Sequence, residues 1–175
     1  MKKLCIICAS LLVSISALQA QEFGKGTQTI KLGVGTNLNY WSVPFMVEYE
    51  IGIVNRLGID GLNLGVGGYA GFFHYKKHDW VNNAFGFGPQ CFAHYMPVDK
   101  LDVYLGTMIG VRFHGGKYSG NDHLFKNKKD PFKPHFSASP VIGARYKISS
   151  GFGVYGNFAY DSGMYISCAG VTFEF

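Results

Sequence analysis

From Thr27 to the end of the chain, apolar and polar or small residues alternate with a period of two. Ile30, Leu32 and Val34 alternate with Lys31, Gly33 and Gly35, and Phe45, Val47, Tyr49, Ile51 and Ile53 alternate with Met46, Glu48, Glu50 and Gly52. The same rhythm starts at Leu62, Phe85, Val103, Phe136, Val154 and Tyr165. Period two is the signature of a strand whose two faces meet different surroundings. The pattern predicts eight strands, mostly of about ten to thirteen residues. A tilted strand needs about 9–11 residues to cross the hydrocarbon core of a bilayer, whereas strands of soluble proteins commonly run about five or six. The expected fold is therefore all-β, an eight-stranded antiparallel up-and-down transmembrane β-barrel.

The connections alternate too. Those after the second, fourth and sixth strands are compact, at residues 55–61, 97–100 and 149–151. Residues 76–83 and 114–134 read as longer polar loops. Short turns at one end and long loops at the other is the asymmetry of outer-membrane barrels.

Alternation alone does not say which face meets lipid, and a soluble lipocalin-like barrel would turn the apolar set inward. The polar set here holds Lys31, Glu48, Glu50, Arg112, Arg145, Asp161 and Glu174 among many glycines. Those glycines would leave a water-facing surface bare, but they suit a narrow lumen. The apolar set gathers aromatics at both strand ends: Trp41, Phe45, Phe85, Phe113, Phe136, Tyr160 and Tyr165 at one rim, Tyr95, Tyr146, Phe173 and Phe175 at the other. Two such belts fit two membrane interfaces. Composition agrees, with 16% aromatics, 24 glycines and only 15% charged residues, where a quarter is usual. An eight-stranded lumen has room for side chains and little else. Lys31, Glu48, Glu50, Arg112 and Arg145 are expected to pair there as an interior ion network, because buried charges persist when paired. An open pore is not expected.

Residues 1–20 read as a cleavable signal peptide: Lys2 and Lys3, an apolar run over 4–13, then small residues up to Ala20. Residues 21–26 are expected to form a short periplasmic segment, and 27–175 the barrel. Removing the signal takes Lys2 and Lys3 and lowers the net charge from +5 to +3; it also takes Cys5 and Cys8. Cys91 and Cys168 fall on opposite faces of non-neighbouring strands, so two free thiols are expected.

The segment Cys168-Ala-Gly170-Val-Thr-Phe173-Glu-Phe175 resembles the C-terminal sorting signal of outer-membrane proteins, although Cys168 stands where that signal starts with a polar residue. The resemblance implies that Gly170, Phe173 and Phe175 are read by the barrel-assembly machinery. The whole of 27–175 resembles the small eight-stranded barrels of the OmpX and OmpA membrane-domain type. Gly143-Ala-Arg-Tyr146 and Gly153-Val-Tyr-Gly156 before a tyrosine-rich hairpin are similar to the outer-membrane barrels common in Bacteroidetes. This implies a Gram-negative outer-membrane location and leaves activity open, since fold does not fix function.

Candidate chemistry is sparse. His135 and Ser137, two residues apart on one strand face, resemble the His-x-Ser of lipid A deacylases, with the acid to come from Asp130 or Asp161; residues 138–140 depart from that family's pattern. A lipid A or phospholipid hydrolase is thus one alternative, and a soluble binding barrel another. His74 and His78 have a helical metal spacing but lie where a strand ends. Gly33-Val-Gly35 and Gly65-Val-Gly-Gly68 precede no strand–helix junction, so they are no phosphate loop. No cofactor is implied. The basic loops are the strongest partner signal: Lys76, Lys77, Lys117, Lys126, Lys128, Lys129 and Lys133 against Asp79, Asp122 and Asp130. Clustered lysines attract lipopolysaccharide phosphates and other surface polyanions, so outer-membrane lipids, lipopolysaccharide and a surface polyanion or protein ligand are the expected partners; on membrane-tethered loops the lysines do not point to nucleic acid. The function expected is a non-enzymatic outer-membrane barrel supporting envelope integrity or surface interaction.

Overall fold

A computed structural model describes residues 23–37, 42–120, 129–161 and 164–175. The signal segment, Trp41, Asp122, His123, Lys126 and Lys128 lie outside them, as do the side chains of Lys77, Asp161 and Tyr165.

Eight antiparallel strands follow one another around a closed barrel: β1 Gln28–Asn37, β2 Phe45–Val54, β3 Leu62–Lys77, β4 Trp80–Val98, β5 Leu101–Tyr118, β6 Lys129–Lys147, β7 Phe152–Asp161 and β8 Met164–Glu174. The seam between β1 and β8 runs from Thr29↔Glu174 to Asn37↔Ile166. Gln28 and Phe175 extend it with two backbone hydrogen bonds of 3.0 Å each. No edge is left open, which is what a lipid-facing sheet requires.

Outside, the apolar set faces outward. Phe45, Phe72, Phe85 and Phe113 are direct cross-strand neighbours, so the upper aromatic belt is a continuous row over β2 to β5. Tyr95, Tyr146 and Phe175 are exposed near the opposite end. Leu32, Val34, Val47, Leu105, Ile109, Ile142 and Val154 form the exposed band between. This is the surface of a transmembrane barrel.

The loops differ from the expectation. β3 to β6 have 16, 19, 18 and 19 residues, against 10 or 11 for the other four strands. β3 and β4 stay paired to Lys77↔Trp80 and turn through His78, whose φ of 51° is left-handed. β5 and β6 pair as far as Lys117↔Lys129. Lys76, Lys117, Lys129 and Lys133 are therefore strand residues. The alternation vanishes there because both faces meet water above the belt, while the backbone ladder needs no apolar side chain. The four strands rise past the belt by about five residues, roughly 16 Å at the usual strand rise.

The opposite turns are short, with Lys100 (φ 69°) in the β4–β5 turn and Arg56, Gly58 and Gly61 all at positive φ in the β2–β3 turn. Nor does the start of the described chain trail below the barrel: Phe23 is wholly buried in the lumen. Its ring lies on His94, 4.0 Å between centroids, with the Arg145 guanidinium 5.0 Å away. An aromatic residue below an open barrel end gains more by filling it than by remaining in water.

Candidate functional site

The lumen is filled in layers. At the end next to the short turns lies an ionic layer. Register places Lys31 opposite Glu48, and its Nζ sits 2.8 Å from Glu48 and 3.3 Å from Glu50. Lys31 is 1% exposed, so this pair is sealed from water. Its ammonium also lies 4.9 Å from the Phe92 ring and 4.6 Å from that of Tyr104. Arg145 donates to Asp102 and to Thr29, at 2.5 and 3.0 Å. Lys147 meets Glu174 at 2.7 Å. His94 bridges two carboxylates, Nδ1 at 3.0 Å from Asp102 and Nε2 at 2.5 Å from Glu50. Ionised carboxylates only accept hydrogen bonds, so both ring nitrogens donate and His94 carries the fourth positive charge. Lys31, His94, Arg145 and Lys147 then match Glu48, Glu50, Asp102 and Glu174.

Arg112 departs from the expected network. It lies at the opposite end of the lumen, on the same inward face of β5 but several rungs above Asp102. The network instead recruits Asp102, His94, Glu174 and Lys147. Asp102 has the inward parity of β5, but it sits beside the β4–β5 turn, outside the stretch from Val103 over which the alternation is counted.

Above the ionic layer, Met46, Met108, Val141, Ala159, Ile166 and Cys168 form an apolar layer that Tyr69 and Phe73 complete. Cys168 is buried in it and Cys91 is half-buried on the other face; both thiols are free. Glycine makes room for the large rings of the lumen: a Cβ on Gly143 would collide with Tyr104, and one on Gly33 with the Tyr155 hydroxyl.

The third layer is the outer mouth. Arg112, 6% exposed, and the half-buried His114 line a cavity of about 260 Å³ with His135, Asn37, Ser42, Tyr75, Phe73 and Ala84. Cross-strand register sets Arg112 against His135 and His114 against Lys133. The two imidazoles stack 4.3 Å apart at 16°. Ser42 is joined to Tyr75 through an isolated backbone bridge.

His135 and Ser137 share the inward face of β6 near the outer mouth. Ser137 faces the lumen, 3% exposed, and its Oγ lies 3.3 Å from that of Ser139. His135 stands a rung higher, stacked on His114. Asp130, the nearer candidate acid, is paired with Lys133 at 3.2 Å. Asp161 is the last residue of β7, paired through its backbone with Met164. His74 bonds Asn83 at 2.8 Å.

The lysines sit on the projecting strands. Lys76, Lys117, Lys129 and Lys133 are exposed. Lys117 and Lys129 are direct cross-strand partners and border a surface groove of about 720 Å³ with Tyr118, Asp130 and Phe132. Like charges placed opposite each other are destabilising, so this arrangement costs the free protein something.

No protein-family model matches the chain, and no curated protein matches its sequence. Solved structures do match its shape. The attachment invasion locus protein Ail of Yersinia pestis, in complex with the heparin analogue sucrose octasulfate, aligns with a TM-score of 0.56 at 10% identity, over 86% of this chain and 99% of that one. The N-terminal β-barrel domain of Pseudomonas aeruginosa OprF aligns at 0.52 and 15%, over 87% and 99%. The outer membrane enzyme PagL aligns at 0.51 and 15%, over 83% and 97%. At these identities the likeness concerns the fold alone. The chain has the closed eight-stranded antiparallel fold of small transmembrane barrels, a fold shared by proteins with and without enzymatic activity.

Proposed function

We propose that this chain is a non-enzymatic bacterial outer-membrane barrel, exported through a cleaved signal peptide and closed to ion flow. It acts at the cell surface through its basic projecting strands, in the style of the Bacteroidetes barrels its closing hairpins resemble. Its partners are polyanions: lipopolysaccharide phosphates or an acidic surface ligand. The observation that carries this reading is the contrast between a packed lumen and the Lys117–Lys129 pair above the belt, which has no carboxylate ion-pair partner among the described residues. A filled lumen leaves the projecting sheet as the surface for partners, and like-charged neighbours gain most when a polyanion arrives. That Ail was solved with a heparin analogue is a fact about Ail; the lysines support the proposal here.

The folded barrel in micelles should be retained by immobilised heparin, used as a polyanion probe, and released by salt. Replacing Lys117, Lys129 and Lys133 with glutamine should release it at clearly lower salt. Retention that ignores both salt and these lysines would refute the reading. In planar bilayers the barrel should give no steady conductance. Ser137→Ala should leave the cell's lipid A profile unchanged, because its hydroxyl points away from lipid; a mass shift would favour the hydrolase alternative. Recovery in the periplasmic fraction would favour the soluble barrel.

A further inference from the structure

The mouth cavity is separate from the lysine groove and uses other residues. Three cationic or protonatable side chains converge on it. Arg112 and His114 come from β5 and His135 from β6, with Ser42 and Asn37 bordering it from the β1–β2 side. The Ser42 hydroxyl is a fourth donor. Ser42 is only 7% exposed, and its Oγ has no hydrogen-bond partner among the described residues. A buried hydroxyl without a partner is uncommon in folded proteins and asks for an explanation. So does a run of basic residues set opposite one another, Arg112↔His135 and His114↔Lys133. The one described carboxylate near them, Asp130, is held by Lys133. A single guest explains both features: an oxyanion accepts from the hydroxyl and is attracted by the basic side chains around it.

We infer that this mouth binds a phosphate group, either free inorganic phosphate or a phosphomonoester carried on a saccharide. Arginine offers five donors in a planar fork suited to phosphate oxygens, so Arg112 serves a guest alongside the contacts it already makes. His114 and His135 can each donate one ring N–H. Donors arriving from β5, β6 and the β1–β2 side surround a tetrahedral anion better than a flat carboxylate. The size agrees. A water occupies about 30 Å³ of liquid, so a cavity of about 260 Å³ takes a phosphate together with a small attached group. Phe73 and Ala84 are part of its lining, and the apolar layer with Met46, Met108 and Ile166 lies below. The guest therefore enters from outside and leaves the same way. This is a receptor site, not a permeation path.

The test uses the whole mature barrel folded in zwitterionic micelles, its folding checked by faster migration when unboiled. Inorganic phosphate and glucose 1-phosphate are titrated separately by calorimetry in phosphate-free buffer. Saturable binding at one site is expected. The double variant His114→Gln/His135→Gln should weaken it about tenfold or more, the scale of losing charge-assisted hydrogen bonds. Lys117→Gln/Lys129→Gln should leave it within about twofold while losing heparin retention, so the site and the lysine surface stand or fall separately. Tighter binding of the sugar phosphate assigns the site to saccharide phosphates, and tighter binding of inorganic phosphate to the free ion. Binding that does not saturate, that survives the histidine double variant, or that disappears with the two lysines overturns the inference. Arg112→Gln, if it folds, should weaken binding at least as much as the histidine pair.

Discussion

Arg145 and Arg112 are both buried arginines pointing into the same lumen, yet they keep different company. Around Arg145 every cation faces a carboxylate: Lys31 with Glu48 and Glu50, Lys147 with Glu174, and His94 between Glu50 and Asp102. Around Arg112 basic side chains stand opposite one another, first His135 and then, a rung higher, Lys133 across from His114. The charges of the lower layer are paired within the chain, so it serves to plug the barrel. The mouth keeps the buried Ser42 hydroxyl, which no described residue satisfies, and that is where binding free energy remains to be gained. One strand face of one barrel thus supplies both a structural stopper and a receptive surface, separated by a layer of methionine and aliphatic side chains.

The largest effect that sharpens this contrast lies at the bottom. Arg145→Leu leaves Asp102 with His94 alone and Glu174 with Lys147 alone in a dry site, and breaking a buried pair from one side costs about 3–5 kcal/mol. Chemical unfolding in micelles should show that loss, whereas His135→Gln at the exposed mouth should shift stability by less than about 0.5 kcal/mol. Equal losses at both positions would erase the distinction between plug and mouth.

A smaller effect probes how tightly the plug is packed. Gly143→Ala drives a methyl group into the Tyr104 ring that lies over Lys31; overpacking of this kind costs about 1–3 kcal/mol. An unchanged unfolding midpoint would mean the lumen has slack that the packing denies. The smallest effect should be a gain. Lys129→Glu places an acid opposite Lys117, and such a cross-strand pair is worth about 0.2–1 kcal/mol over like charges. Slower amide exchange along the upper parts of β5 and β6 would register it, and faster exchange would contradict the repulsion argued for the pair.

The strand count and facing were legible because a lipid exterior and a crowded lumen impose opposite demands on successive residues. Lys31 across from Glu48 was legible for the same reason, since hairpin register and inward parity fix that neighbour. Asp102 and Phe23 were not. Asp102 sits beside a turn, just outside the stretch over which the alternation is counted, and Phe23 precedes the first strand, where no parity exists. Arg112 was misassigned to the lower network because parity gives the face of a strand and not the height along it. The lysine loops were misplaced because water on both sides removes the alternation that marks a strand, while the hydrogen-bonded ladder runs on.

The sequence by itself determined that eight strands alternate, that their apolar set is too aromatic and their polar set too glycine-rich for a water-soluble surface, and where the basic charge lies along the chain. Those are one-dimensional properties, set by what each residue's two neighbouring faces must touch. Only the tertiary structure decided which charges meet. Closing the barrel brings Thr29 of β1 to Arg145 of β6 and Glu50 of β2 to His94 of β4. The same closure stacks His114 on His135 beside Ser42. Such encounters depend on stagger and closure around a ring of strands, and periodicity along a single strand carries no record of either.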